Sequence, residues 1–284
     1  MAHNKDDSDL YTIIKVVRNE DLYQQIGIDV YCDLADHDKV RSFRVHNSTP
    51  FNRFKEIVAG QFGVPLQLQR FWICLKRKNK TCRPCQLLTH EEEKQPLNTR
   101  TDLILLEGLE LGPDLCTFRL RHKTKEDILL FFNHYDPEKE EIRYVGNLFV
   151  KGSAMPGDIL KKLNDMANFS PDEELELFVP KVICELVDQK CTFLDNEIYC
   201  IVTNFAICFL CAVLFSALHL ENGDIICFHK AIIQMKCRYP DIPSFLRYRR
   251  CQASQDSKLK VIALKKELKA AEKKLSALIG CQHN

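Results

Sequence analysis

Pro50-Phe-Asn-Arg-Phe-Lys-Glu-Ile-Val-Ala-Gly-Gln-Phe-Gly-Val-Pro65 returns in outline as Pro156-Gly-Asp-Ile-Leu-Lys-Lys-Leu-Asn-Asp-Met-Ala-Asn-Phe-Ser-Pro171. At identical offsets from the leading proline, Phe54, Ile57, Pro65, Phe71 and Trp72 become Leu160, Leu163, Pro171, Leu177 and Phe178. Shared spacing of apolar residues predicts shared packing, so the chain carries two copies of one module.

Val40, Phe43 and Val45 form a short apolar stretch ahead of the first block. Thr49 and Pro50 then supply an N-cap and a first-turn proline, whose missing donor is one the helix start leaves unpaired anyway. Phe54, Ile57, Val58 and Phe62 share a helical face, and Gly63 with Pro65 ends that helix before the apolar run Phe71 to Leu75. In the second copy Ile142, Tyr144, Leu148 and Val150 alternate at period two. Ile159, Leu160, Leu163, Met166 and Ala167 make its helical stripe, closed by Phe169, Ser170 and Pro171. Asp127 to Asn133 lies upstream and joins the second strand through Tyr135-Asp-Pro-Glu-Lys139, whose Asp-Pro pair favours a turn, so a β-hairpin precedes the helix. Hairpin, one amphipathic helix and further strands make an α+β roll of the ubiquitin or β-grasp kind, because a single helix covers one face of a small mixed sheet.

The length of 284 residues accommodates two such domains. Forty basic and thirty-nine acidic side chains nearly cancel, so no global field draws the protein to nucleic acid or to an anionic membrane. Residues 1–9 read as a polar tail without the apolar stretch of a signal peptide, which argues against secretory entry from this end; nucleus and cytoplasm are the expected location, with a membrane as the alternative. Among fourteen cysteines, Cys82 and Cys85 form one C-x-x-C near Cys74 and His90, and Cys208 and Cys211 form another inside an apolar run. A structural zinc is out of place there, and reduced thiols that pack as small hydrophobes are the expectation, with no metal and no cofactor. Arg70, Lys76, Arg77, Lys78, Lys80 and Arg83 cluster without a nucleic-acid motif, so they read as a solvated loop between two strands. His37, His122 and His134 are scattered and suggest no metal constellation.

Several long blocks carry a family likeness: Leu10 to Asp21, Asp36 to Arg44, Gln69 to Ile73, Tyr135 to Glu140, Asn222 to Phe228 and Arg238 to Leu246. They resemble the region following the catalytic domain in the herpesvirus-associated ubiquitin-specific protease family, with plant MATH-domain ubiquitin hydrolases the most similar. The resemblance covers about residues 10 to 190 and 221 to 250. It implies tandem ubiquitin-like domains and a link to cysteine-type deubiquitination. Members cleave ubiquitin with a cysteine, a histidine and an acidic residue on a separate papain-like domain, and neither its Cys box nor its Gly-rich His box is found here. A nucleophilic thiol needs a base beside it, so no catalytic residue is named and the chain is predicted inactive alone. The implied role is a docking and regulatory portion that recruits Lys/Arg-rich partner segments and acts on a deubiquitinase catalytic domain in cis or in trans.

The resemblance further implies that acidic residues just before the final strand of the second roll capture such segments; here these are Glu221 and Asp224. Carboxylates on a sheet rim accept charge-assisted hydrogen bonds from lysine or arginine. Asn222-Gly223-Asp224 also reads simply as a turn, which Asn-Gly favours without any ligand, and both readings stand.

Ile198 to Leu220 contains no Asp, Glu, Lys or Arg and equals a bilayer span in length. It sits inside the second module, so a spanning helix there would split a sheet across a membrane. Three readings compete: a membrane anchor, a buried core helix, and a translated intron within an apolar helical insert over 192–220. Uracil-rich codons encode the Phe, Leu, Ile, Val, Cys, Tyr and Ser that dominate it, which favours the intron and admits a nonfunctional truncated splice product. Transcripts that all carry the segment would exclude that reading. Beyond it a short linker helix is expected over 241–250 and an amphipathic helix over 256–280. Val261, Leu264, Leu268, Ala271, Leu275 and Leu278 alternate spacings of three and four, as in a coiled-coil seam. In a parallel homodimer Glu267 faces Glu272 and Lys260 faces Lys265, which disfavours it and leaves a single helix on its own domain or fraying in solvent. The expected organisation is thus a first ubiquitin-like domain over 10–110, a second over 124–230 interrupted by the insert, and these C-terminal helices.

Overall fold

A computed structural model describes residues 10–24, 34–77, 81–96, 103–108, 126–180, 198–202, 214–231 and 237–280. The polar tail 1–9, His122, Lys78, Lys80, and Cys208 with Cys211 lie outside the described residues. Contacts divide the chain into two compact units, Met1–Met235 and Lys236–Asn284.

The larger unit is α+β and holds two five-stranded mixed sheets. The first comprises β1 (Tyr11–Arg18), β2 (Arg41–His46), β3 (Gln69–Lys76), β4 (Cys82–Leu87) and β5 (Leu103–Gly108), in the order β2-β1-β5-β3-β4. The second comprises β6 (Asp127–Asp136), β7 (Glu141–Lys151), β8 (Leu175–Pro180), β9 (Ile198–Val202) and β10 (Asp224–Lys230), in the order β7-β6-β10-β8-β9. The two orders are the same pattern. In each sheet the opening hairpin is antiparallel, its first strand pairs in parallel with the last strand, and the remaining pairs are antiparallel.

Among the described residues, beyond the short helix α1 (Asn19–Tyr23), each roll has one covering helix, α2 (Phe51–Phe62) in the first and α3 (Leu160–Ala167) in the second. Phe51, Phe54 and Val58 of α2 are buried against Ile14, Val16, Phe43, Val45, Phe71, Ile104 and Leu106. Ile57, expected on this face, is 41% exposed. In the second roll a short 3-10 turn, Pro156–Ile159, leads into α3, and Ile159, Leu163 and Ala167 pack with Leu130, Phe132, Leu175, Leu177, Ile226 and Phe228. The helices are therefore one residue out of the register suggested by the two prolines. Pro50 is itself the N-cap of α2, whereas Pro156 is the first residue of its turn. Aligned on their left-handed C-caps, Gly63 and Asn168, the copies equate Phe54 with Ile159 and Val58 with Leu163. The strands keep the original offset, since Phe71 and Leu177 both enter their cores.

The period-two reading of β7 also changes. Ile142 and Tyr144 pair with Tyr135 and Asn133, while Leu148 and Val150 pair with Leu130 and Ile128 on the opposite, helix-covered face. A bulge between Phe132 and Asn133 of β6 inserts one residue on the β7 side and inverts the alternation. Gly146 there has φ +150, and a Cβ on it would lie 2.4 Å from Met166 Cε. Phe131, Tyr135 and Cys227, on the face away from α3, are as buried as Phe132 and Phe228. Two-sided burial explains why Ile128 to Phe132 reads as one apolar run rather than an alternation.

The described ends of the apolar stretch do not form a helical insert. Ile198–Val202 is the edge strand β9, paired with Leu177 to Pro180. Phe215–Leu218 is a 3-10 turn held by Phe215 N to Ala154 O at 3.0 Å and Ser216 N to Gly152 O at 2.9 Å. Ile198, Tyr199, Ile201 and Val202 are strand formers, and Phe215 and Leu220 belong to the second core, which explains their apolarity without a membrane. Residues 192–197 and 203–213 lie outside the described residues. Among the described residues no helix is long and apolar enough to cross a membrane.

In the smaller unit the helices expected over 241–250 and 256–280 are one continuous helix, α4 (Ile242–Gly280). Asp241 caps it, accepting the Ser244 N–H at 2.6 Å, while Ser244 Oγ donates to Asp241 O at 2.9 Å. No glycine or proline between Arg250 and Ser257 interrupts the helix.

Candidate functional site

Glu221 and Asp224 are brought together by the turn that enters β10. Asp224 Oδ2 accepts the Glu221 N–H at 2.8 Å, and Asp224 N donates to Glu221 O at 3.1 Å. Asn222 ties this turn to β6: its Oδ1 accepts the Leu129 N–H at 2.9 Å, and Gly223 N donates to Leu129 O at 2.8 Å. Gly223 has φ +85, and a Cβ there would fall 2.6 Å from Pro84 O. Only glycine meets both demands, a left-handed backbone and close approach of a neighbouring chain segment.

That neighbour is the β3–β4 hairpin of the first roll. Arg77 donates to Asp224 Oδ1, and its second terminal nitrogen donates to Asn222 O at 2.9 Å and lies 3.7 Å from Glu221 Oε2. Asn222 Nδ2 donates to Cys85 O at 3.2 Å. Asp224 is 19% exposed and Arg77 28%, whereas Glu221 is 78% exposed. The turn is thus a receptor for one guanidinium, with a second, mostly exposed carboxylate at the edge of the same ion pair.

The sequence placed Arg77 in a solvated basic loop. Instead Arg77 is seated on the acidic turn, Arg83 is buried, and Arg70 forms a two-pronged pair with Glu107 at 2.6 and 2.9 Å. Like charges repel, so six cations close in sequence imply acceptors nearby or open solvent. Glu107, Glu221 and Asp224 were the available acceptors, but their closeness is a product of tertiary structure.

Two further contacts join the rolls. Trp72 Nε1 donates to Glu107 Oε2 at 3.0 Å, and Phe149 lies against both the Trp72 ring, 6.0 Å between centroids, and the Arg70 guanidinium, 5.3 Å away. Asn19 Oδ1 accepts from Tyr144 Oη at 2.8 Å and from Asn147 Nδ2 at 3.0 Å, with Tyr23 against Tyr144. A cleft of about 640 Å³ lies beside these contacts, lined by Asn19, Tyr23, Arg70, Glu107, Lys162 and Met166 among others.

None of these arrangements prepares a nucleophile. Burial pushes the Cys85 thiol above its ordinary value, against the opposing pull of Arg77, and reactive cysteines need the reverse. Among the described residues no three His, Cys, Asp or Glu side chains come together to hold a metal ion.

A family model described as the ICP0-binding domain of Ubiquitin-specific protease 7 matches residues 69–254. Ubiquitin C-terminal hydrolase 12 of Arabidopsis thaliana is 49% identical over 256 residues, covering 84% of this chain and 21% of the relative. Ubiquitin C-terminal hydrolase 13 of the same plant is 46% identical over 255 residues, with the same coverage. The chain spans about a fifth of the length of these curated relatives. With the match running from β3 of the first roll through the acidic turn into α4, the chain belongs to the family of the ICP0-binding domain of Ubiquitin-specific protease 7.

Proposed function

We propose that this chain is a non-catalytic docking and regulatory region of a cysteine-type deubiquitinase. It consists of tandem ubiquitin-like (β-grasp) rolls over 10–110 and 124–230 and works in the nucleus and cytoplasm. The shared strand order, with the last strand central and parallel to the first, is that of the ubiquitin roll and supports this reading. Lys/Arg-rich partner segments bind at Glu221 and Asp224, and a deubiquitinase catalytic domain, in cis or in trans, is the element regulated.

One observation carries the docking role: the turn already holds a guanidinium, so its carboxylate and carbonyl are oriented for a basic side chain. A partner segment places one cation on exposed Glu221 and a second in competition with Arg77 for Asp224. Titration of a fluorescent Lys/Arg-rich peptide tests this. Glu221→Lys is expected to raise Kd about threefold and Glu221→Lys with Asp224→Lys more than about tenfold, since the inner contact is the less solvated one. Equal Kd in all three proteins, with unchanged circular dichroism, would remove the acidic turn as the site. The regulatory role predicts silence toward a ubiquitin-fluorophore substrate alone and faster turnover when the chain is added to the catalytic domain of a related hydrolase.

A further inference from the structure

α4 is a 39-residue helix, and between 255 and 269 each of its side chains that is described is exposed. These include Leu259 at 64%, Val261 at 49%, Leu264 at 63% and Leu268 at 61%. Val261, Leu264 and Leu268 begin the seam that Ala271, Leu275 and Leu278 continue in sequence at heptad positions a and d. An apolar stripe of this length in water needs a covering surface.

We propose that α4 binds a second copy of this chain as an antiparallel two-stranded coiled coil. Charge selects the orientation. With Val261 at position a, Lys258, Lys265 and Glu272 fall at e, and Lys260, Glu267 and Lys274 at g. Parallel helices set g against e of the following heptad, which places Lys260 against Lys265 and Glu267 against Glu272, both repulsive. Antiparallel helices set e against e and g against g. In the register that pairs Val261 with Leu278, Leu264 with Leu275 and Leu268 with Ala271, Lys265 meets Glu272 and Glu267 meets Lys274. By symmetry each attraction occurs twice.

Side-chain size selects the same register. A parallel in-register dimer stacks Ala271 on Ala271 and leaves a gap in the seam. The antiparallel one sets Ala271 against Leu268, small against large, so every layer is filled. All six seam residues of each helix are used over a length of ~27 Å, at 1.5 Å of rise per residue.

A coil under three heptads is marginal, so association on the order of 100 µM is expected, and sedimentation equilibrium of the full chain from about 10 µM to about 1 mM covers the range. Glu272→Lys is the deciding variant, because it changes sign between the two orientations. It turns the antiparallel Lys265–Glu272 attraction into repulsion at two places, and it turns the parallel Glu267–Glu272 repulsion into attraction. The antiparallel dimer is expected to weaken about tenfold, from two reversed pairs of ordinary helix-surface strength. Leu264→Asp, also at an exposed position, is expected to abolish association while circular dichroism retains the helix. A wild-type chain that stays monomeric to the top concentration, an unchanged Glu272→Lys dimer, or a strengthened one would each overturn the proposal.

Discussion

The two rolls hold the same pair of positions with opposite charge. In the first, Arg70 on β3 stands directly across from Glu107 on β5; in the second, Glu176 on β8 stands across from His229 on β10. The neighbouring aromatic is also shared, since Trp72 donates to Glu107 and Phe178 stacks on His229 at 5.1 Å. The first pair is a permanent ion pair with both side chains about 10% exposed. The second sets Glu176 3.6 Å from His229 Nε2 and draws on charge only when the imidazole is protonated. The two rolls share the geometry of the slot, a cross-strand pair beside an aromatic ring, and differ in the chemistry that fills it.

A second contrast lies at the ends of the first strands. Arg18 is opposite Leu106, and His134 is opposite Phe228, at matching points of the parallel pairings. Arg18 stays charged: the hydrogen bonds its guanidinium donates to Asp21 raise its pKa, outweighing partial burial, and the guanidinium covers Phe62. His134 lies between the Phe169 and Phe228 rings, and burial holds it at about 4. The same place is solvated in one roll and sealed in the other.

The largest effect expected tests which helical register is real. Phe54 is fully buried against Phe43 and Phe51, so Phe54→Ala should cost about 4 kcal/mol, transfer plus cavity, in urea unfolding followed by Trp72 fluorescence. Ile57→Ala, at a 41% exposed site, should cost under about 1 kcal/mol, whereas its proline-aligned counterpart change, Leu163→Ala, should cost about 3 kcal/mol. Equal costs at Ile57 and Leu163 would restore the proline-based alignment and reject the one based on C-caps.

Helix positions, strand runs and the hairpin were legible because periodicity and turn chemistry are local. The Asp136 side chain, for example, accepts the Glu138 and Lys139 N–H groups within the turn that its Asp-Pro pair announces. What escaped was non-local. The β7 bulge inverts alternation without any glycine-free signal, because Gly146 is compatible with an ordinary strand sequence too. Ile198 to Leu220 admits a membrane anchor, a core helix or the favoured translated intron, since hydropathy alone does not announce the edge strand at Ile198–Val202 or the buried turn at Phe215–Leu218. In the first roll the edge strand beside β3, β4, follows it through a short connection and carries Arg83 and Gln86; in the second, β9 performs that pairing from within the apolar stretch. Of the candidate site, the two carboxylates were legible and their occupant was not, because Arg77 and Asp224 meet only when two rolls dock.

The next effect separates the two cross-strand pairs. Arg70→Ala leaves the Glu107 carboxylate buried with its main cation removed, and a loss of about 3 kcal/mol is expected. Glu176→Ala removes an acid that is 27% exposed and 3.6 Å from His229 Nε2, so less than about 1 kcal/mol should be lost. Similar losses at both sites would mean that the second slot also relies on an ion pair.

The smallest effect concerns the sealed end of β6. A histidine held at about 4 when folded and near 6.5 when unfolded favours the native state fully above 6.5. That contribution drains away as pH falls toward 4, because the unfolded chain binds the proton first. Between pH 7 and pH 5 the wild type should lose about 2 kcal/mol more than His134→Gln, which cannot titrate, when both are unfolded in urea and followed by circular dichroism. The difference between the two proteins cancels the shared titration of carboxylates. Arg18→Gln provides the contrast in the first roll: arginine does not titrate in this range, so its pH profile should run parallel to the wild type. Parallel profiles for His134→Gln as well would mean that water reaches the ring between Phe169 and Phe228, and the second roll would then be no more tightly sealed there than the first.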